Sequence, residues 1–499
     1  MSRPVATALW VPVGVAAVLG IAAFVGPPES VVRDRPGRDE PVVRSTLVCP
    51  YVGGEPRASS HIGVLPLGGA PGEQAGSEPE PVAVQVLTGP DEEPESLFTA
   101  TAVGAMTVAE VETDDAAGYA VRAVGALAPG LAAEQSMLAG GPDLRGLVSG
   151  RCAGPAREHW FVGGSGAVGR RGRLVLSNPS SVPAVVDVSV WDESGPVDAP
   201  ATEDIAVPAR GQQILLLDAL DPGAERIGLH VSASQGRVAA ALEVRETDEL
   251  DPQGVTFVPA AAAPSSDVVV PGVPAHGERT LRILAPGDTD AIVSLRLLGP
   301  EGPFSPVDQS VVTVAAGTVL EVPIDDAAGD APVAVALESD VPVTAAVRVV
   351  DAPSEGLPEL AYTAATEPLT GAAPALLGRA GSDLTTRLLI SAVGRLAARV
   401  QVRAIAADGT VGEEQTVDVA GGSTVPVEVE AVGDGPWLTV VVEPAEAGTV
   451  VVTREIVGSD DDGALLDLMP LVAPAVSVQV PEVAGELPTG LTPAGPITR

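Results

Sequence analysis

Lysine is absent from this chain of 499 residues. All 28 basic side chains are arginine, set against 66 acids, and the formal net charge is -38 with a pI near 4.2. That balance repels phosphate backbones and anionic lipid headgroups, so nucleic acid and acidic membrane surfaces are poor partners. Aromatic residues make up only 2% of the chain, so its cores must be filled by Val, Ala and Leu rather than rings. Cysteine occurs twice, at Cys49 and Cys152, too few for a structural zinc site. His61, His159, His230 and His276 fall at no metal-ligand spacing from one another or from either cysteine. No Gly-x-Ser-x-Gly occurs either. Neither a metal, a cofactor nor a nucleophilic triad is therefore expected.

Uninterrupted helical stretches are scarce as well, because 56 Gly and 48 Pro punctuate the sequence every few residues. The exception is residues 5–25, VATALWVPVGVAAVLGIAAFV, an uncharged run closed by Pro27-Pro28. It is long enough to span a bilayer as a helix. Residues 1–26 read as a transmembrane anchor or uncleaved signal, the alternative being a cleaved signal peptide, although no clear Ala-x-Ala site closes the run. Arg33, Arg35, Arg38 and Arg44 after the span would count as cytoplasmic on the positive-inside rule. Long domains translocate largely regardless of flanking charge, so the expected place is a single-pass cell-membrane protein with its bulk extracytoplasmic. An even cysteine pair in an exported chain reads as a Cys49–Cys152 disulfide, the alternative being two buried thiols.

From residue 173 onward the sequence repeats. Ala184, Ala291 and Ala398 open the runs AVVDVSV, AIVSLRL and ARVQVRA, 107 residues apart both times. Gly195, Gly302 and Gly409 keep the same spacing, and Val207, Val314 and Val419 begin similar strand ends. In the first run Ala184, Val186, Val188 and Val190 share one face, the period of a half-buried strand. The turn-forming Asn178-Pro179-Ser180-Ser181 predicts that the runs on either side of it pair. A hairpin is also predicted near the end of each copy, as in IGLHVSASQGRVAAALEV. Gly254, Gly356 and Gly463 then each lead into a Pro- and Ala-rich coda, and Gly146 does so in a looser first copy.

Units of about 105 residues with short strands predict an all-β chain of tandem immunoglobulin-like or fibronectin-like β-sandwiches after the N-terminal transmembrane helix. The boundaries read as a linker over 27–44, sandwiches over 45–165, 166–275, 276–378 and 379–480, and a disordered tail over 481–499. A Trp packed on a cysteine pair across the sheets, the hallmark of antibody domains, is not read in it.

The early Cys49-Pro50, the RCAGPAREHWFVGG segment and the RLVLSNPS start resemble an uncharacterised actinobacterial envelope family, domain of unknown function 5719. The resemblance covers most of residues 45–480 and implies an envelope location and this architecture, with no catalytic residue.

Local motifs favour plain readings. Gly164, Gly166 and Gly169 form a G-x-G-x-x-G, but a strand rather than a helix follows, so it reads as a flexible joint between units one and two. Arg170, Arg171 and Arg173 read as ion-pair partners at that joint. Asp460, Asp461 and Asp462 before Gly463 fail the calcium-loop spacing and read as a polar turn. A disulfide would gather Tyr51, His159, Trp160 and Phe161, a candidate ligand-binding group for carbohydrate or lipid, or else rings packed over the cystine. The expectation is a non-enzymatic, membrane-anchored extracytoplasmic scaffold or interaction protein, with an envelope protein or glycan as partner. The alternatives are a carbohydrate-binding accessory to an envelope polysaccharide enzyme and a wall-glycan hydrolase.

Overall fold

A computed structural model describes residues 38–50, 58–68, 80–90, 96–111, 118–140, 144–379, 384–430, 432–433 and 437–480. The candidate span over residues 5–25 and the tail 481–499 lie outside them. Among the described residues no helix is long and apolar enough to cross a membrane. The chain divides into two units, residues 1–40 with 478–499, and residues 41–477. In the first, strands Arg38–Pro41 and Ser477–Val480 pair, so part of the stretch expected to be a linker is a strand. Everything below concerns the second.

The protein is all-β, with strands gathered into pairs of sheets that share a core. Strands Arg44–Cys49, Tyr119–Val124, Val82–Val86 and Ser96–Ala100 form one sheet, and Thr107–Val111, Ala58–Pro66, Leu131–Gly140 and Arg145–Arg151 the other. Ile62, Val64, Val82, Val84, Val121 and Leu131 fill the space between them. Three further cores of the same kind follow, centred on Val186 and Val231, on Leu295 and Val335, and on Val400 and Val440. Each fully buried Val or Leu contributes roughly 1.5–3 kcal/mol, so many small side chains offset the shortage of rings.

The repeated alanines sit where their strands begin. Ala184, Ala291 and Ala398 are buried and lie opposite Val207, Val314 and Val419 in the same register each time. Alternation explains the order, because Val186, Val188 and Val190 face the core while Val185, Asp187 and Ser189 do not.

Two pairings expected from the sequence are absent. The runs flanking Asn178 do not pair with each other: Arg170–Asn178 lies between Gly211–Leu216 and Ala239–Asp248, whereas Ala184–Trp191 lies in the opposite sheet beside Gly228–Gln235. Asn178 shapes that crossing by donating to Val182 O at 2.8 Å and accepting the Ser180 N–H at 2.9 Å. The late "hairpins" are crossings too, since Gly228–Gln235 and Ala239–Asp248 belong to different sheets. In the third sandwich one 19-residue strand, Val333–Asp351, runs through both. Both runs are apolar because each is a central strand, covered by neighbours on either side.

Strand pairing also moves the boundaries. Glu158–Val162 pairs with Gly228–Gln235, Ser265–Val273 with Val333–Asp351, and Ala373–Arg379 with Trp437–Pro444. Each opening strand thus begins before the limit that the repeat spacing set at 166, 276 or 379.

The sandwiches do not hang in series. Met137, Leu144 and Val148 of the first pack on Val255 and Phe257 of the second, and Val162 and Trp191 of the second on Leu284 and Val319 of the third. Leu466 and Leu468 of the fourth enter the third core, and Leu147 of the first meets Ile456 and Leu465 of the fourth. The contacts close into a ring of four.

Candidate functional site

The ring closes on the last strand of each sandwich, Arg145–Arg151, Asp251–Val258, Glu359–Ala364 and Ala464–Pro470. These strands follow or contain the glycines that lead into the codas, and contacts rather than turns explain those glycines. A β-carbon on Gly254, where φ is +121°, would stand 2.4 Å from Leu360 N and 2.5 Å from Glu359 Oε1. One on Gly146 would stand 2.7 Å from both Glu359 carboxyl oxygens, and one on Gly463 would stand 2.2 Å from Leu357 O. Leu357 and Gly463 form a bridge between the third and fourth sandwiches.

Into the room left by Gly146 and Gly254 projects a fully buried carboxyl group. Glu359 accepts the N–H of Leu147 at 3.0 Å, of Val255 at 3.4 Å and of its own neighbour Leu360 at 3.1 Å. One side chain of the third sandwich thereby satisfies backbone donors of the first and second. Burial pushes its pKa well above the ordinary value, opposed by those three N–H groups and the nearby Arg145 guanidinium.

A second buried cluster joins the first sandwich to the fourth. Arg454 bonds Glu134, the Leu376 carbonyl and, at 2.7 Å, Asp467. Asp467 also accepts the Ser149 N–H at 3.0 Å. Exposure of Arg454, Glu134 and Asp467 is 0%, 1% and 1%, so no solvent shares the load. One guanidinium faces two carboxyls, and both acids are pushed up, by burial first. Asp467 is held from both oxygens, whereas Glu134 Oε2 meets no partner; burial raises the Glu134 pKa to about 7.

Further ion pairs cross the remaining seams. Arg145 reaches Asp460 at 2.5 Å, and Glu246 of the second sandwich bonds Arg348 of the third as well as Arg170 of its own sheet. His276 stands 3.4 Å from both Asp351 and Glu455, close enough to pair electrostatically though its Nε2 is not aligned for a hydrogen bond. These two carboxylates raise its pKa to about 9 against the burial that would lower it.

The residues singled out from the sequence are placed as follows. Cys49 and Cys152 are joined; Cys49 ends the strand Arg44–Cys49, and Cys152 follows Arg145–Arg151 just before Ala153, which pairs with Val48. Tyr51 lies outside the described residues. The other three do not gather over the cystine, because their strand, Glu158–Val162, belongs to the second sandwich. Phe161 enters that core, and His159 is buried with Nε2 2.8 Å from the Val238 carbonyl. Trp160, on the opposite face of the strand, stacks on His230 at 3.9 Å and on Trp191 at 5.9 Å between ring centres.

The glycine motif is no free joint. Gly166 exchanges backbone hydrogen bonds with Ala224 and Gly223, both at 2.9 Å, and Arg282 of the third sandwich donates to Gly164 O at 3.0 Å. Arg170 and Arg173 do meet acids, Glu246 and Glu243, and Asp460 forms a polar turn by accepting the N–H groups of Asp462 and Gly463. Among the described residues no group of three or more His, Cys, Asp or Glu could hold a metal.

The sequence reading missed Glu134, Glu359, Arg454 and Asp467. Each is a charge within an apolar run, GLAAEQSML, LPELAYTAA, VVVTREIV and ALLDLMP, where a solvated position is not available. That isolation was the signal.

Residues 107–430 match a family of unknown function, DUF5719. The chain belongs to that family. No curated protein matches it. Among solved structures, a β-glucuronidase of Bacteroides uniformis aligns at 10% identity over 47% of this chain and 26% of the enzyme, with a TM-score of 0.10. At that level the likeness carries no argument about fold or activity.

Proposed function

We propose that this DUF5719 protein is a non-enzymatic scaffold of an actinobacterial cell envelope, anchored in the membrane by residues 5–25 and carrying immunoglobulin- or fibronectin-like sandwiches outside the cytoplasm as one closed body. The observation that supports this most is the use of its buried carboxyls. Glu359 and Asp467 each bond the backbone of a sandwich other than their own, and Glu134 bonds Arg454 of the fourth from the first. Groups that an enzyme would keep open to a substrate are here enclosed as clamps. The Cys49–Cys152 bond supports an oxidising exterior. With His230 and Trp191 stacked on Trp160, that ring has less open face for a sugar, which weighs against the glycan-binding alternative.

Protease added to intact cells tests the location, and crosslinking followed by identification of the neighbour tests the role. Cleavage between residues 41 and 477 without lysis, and recurrent crosslinks to one envelope protein, are expected. Full protection from protease would end the reading.

A further inference from the structure

The third sandwich has a strand edge that nothing guards. Val311–Val314 pairs only with Ala291–Gly299, so its far side is open among the described residues. The direction of its backbone groups follows from its neighbour. Ile292 gives its N–H to Asp340 at 2.8 Å, on the side away from this strand, whereas Leu295 gives its own to Ser310 O at 2.9 Å. Alternation then turns the N–H and C=O groups of Val312 and Val314 inward to the ladder and those of Val311 and Thr313 outward. The corresponding edges of the neighbouring copies are blunted. Ile205–Val207 in the second sandwich is three residues long and follows Glu203 and Asp204. Gln415–Val419 in the fourth follows Glu413 and Glu414 and carries Asp418, paired with Arg399 at 2.8 Å. Shortness and charge are common means of keeping an edge from recruiting another strand, and Ser310-Val311-Val312-Thr313-Val314 has neither charge nor proline.

The surroundings say what kind of strand would fit. Ile292 and Val311, diagonal neighbours on the outer face, are 53% and 56% exposed, and Val307 is 86% exposed. Beyond Val311 the edge leads to a groove of about 420 Å³ lined by Phe304, Val307, Gln309, Pro323 and Asp326. Asp326 and Asp308 are exposed and enter no ion pair among the described residues, while the buried Arg279 is taken by Asp325. We propose that this edge takes an extended segment of another protein as an added strand, one that alternates apolar residues, set against Ile292 and Val311, with basic residues drawn by Asp308 and Asp326. The outward N–H and C=O groups of Val311 and Thr313 would supply the pairing, and side chains and charge the selection. A second copy of the chain fits this edge poorly, because it would bring the same acids together under a net charge of -38 on each chain. The inference goes beyond the scaffold reading and does not depend on it, since a free edge recruits a strand whether or not the chain is anchored.

The test is fluorescence anisotropy of a labelled octapeptide of alternating lysine and valine, titrated at ~0.15 M salt with the full-length protein in lipid nanodiscs, empty nanodiscs being the blank. The same peptide N-methylated throughout keeps the charge but cannot donate, and a glutamate–valine peptide keeps the donors but reverses the charge. The lysine peptide is expected to bind, and both counterparts to bind at least about tenfold more weakly. Thr313→Pro removes an outward N–H and no ladder bond, leaves the charge of the chain unchanged, and should weaken the lysine peptide by about tenfold or more. Amide exchange at Val311 and Thr313 should slow on binding, a readout that needs no variant and decides the matter if Thr313→Pro does not fold. No binding of the lysine peptide, equal binding of either counterpart, unchanged affinity in folded Thr313→Pro, or unchanged exchange at Val311 and Thr313 would each overturn the proposal. A dimer of the protein alone in sedimentation, lost in Thr313→Pro, would assign the edge to a second copy and overturn it as well.

Discussion

Replacing Glu359 by alanine should loosen three sandwiches at once. The carboxyl group is fully buried and accepts the N–H groups of Leu147, Val255 and Leu360, of which the first two belong to other sandwiches. Removing the acceptor leaves each buried donor unsatisfied at about 1–3 kcal/mol, so the two bonds between sandwiches alone cost about 2–6 kcal/mol. The Val255 bond, at 3.4 Å, belongs at the low end. Alanine also leaves a void that the surrounding glycines cannot fill, because Gly146 and Gly254 have no side chains with which to relax into it. A single unfolding free energy is poorly defined for a chain with several cores, so amide hydrogen exchange is the better assay. Peptides covering 145–151 and 252–258 should lose protection in Glu359→Ala, while peptides within 96–100, in the other sheet of the first sandwich, should not. Unchanged exchange at Leu147 and Val255 would refute the assignment of Glu359 as a clamp.

Other outcomes follow from the same contacts. Trp160→Ala should lower stability by about 3–5 kcal/mol in thermal or denaturant melts, because the ring is packed between His230, Trp191 and the third sandwich. A melting temperature near that of the native protein would favour a ligand-facing role for the ring. Cys152→Ser opens a loop of 103 residues and should destabilise the first sandwich by up to ~4.7 kcal/mol, seen as faster exchange confined to it. Burial, aided by Asp467, outweighs Arg454 and holds the Glu134 carboxyl at about 7 rather than 4.5, so the folded chain binds this proton more tightly than the unfolded one. Its contribution, on the order of 3 kcal/mol, is therefore complete below the ordinary value and lost as pH rises through 7. Denaturant midpoints measured from pH 5 to 8 should fall with pH, and less steeply in Glu134→Gln; identical slopes would remove the proton from Glu134.

What could be read from the sequence was whatever is local. Alternation placed Ala184, Val186 and Val188 on one buried face, and the spacing of Ala184, Ala291 and Ala398 marked the same strand in three sandwiches. The partner of a strand is not local. Runs on either side of Asn178 have the pattern of a hairpin, yet a sandwich stacks two sheets, and a short loop crosses between sheets as readily as it turns within one. Gly254, Gly356 and Gly463 were visible as landmarks, but their meaning depends on backbone from another sandwich about a hundred residues away. His159, Trp160 and Phe161 misled for a related reason. Nearness to Cys152 in sequence suggested nearness in space, whereas the strand that carries them begins the next sandwich.

Closure of the ring is the claim on which the clamps and the scaffold reading both stand. Arg145 and Asp460 pair at 2.5 Å although 315 residues separate them, and they join the first sandwich to the last. The double variant Arg145→Cys, Asp460→Cys, treated with a short bismaleimide at low protein concentration and mapped by mass spectrometry, reports this contact directly. A crosslink within one chain, formed in high yield and lost when either cysteine is absent, is the predicted result. Modification of both cysteines with no link between them would contradict a closed ring and return the sandwiches to an open string.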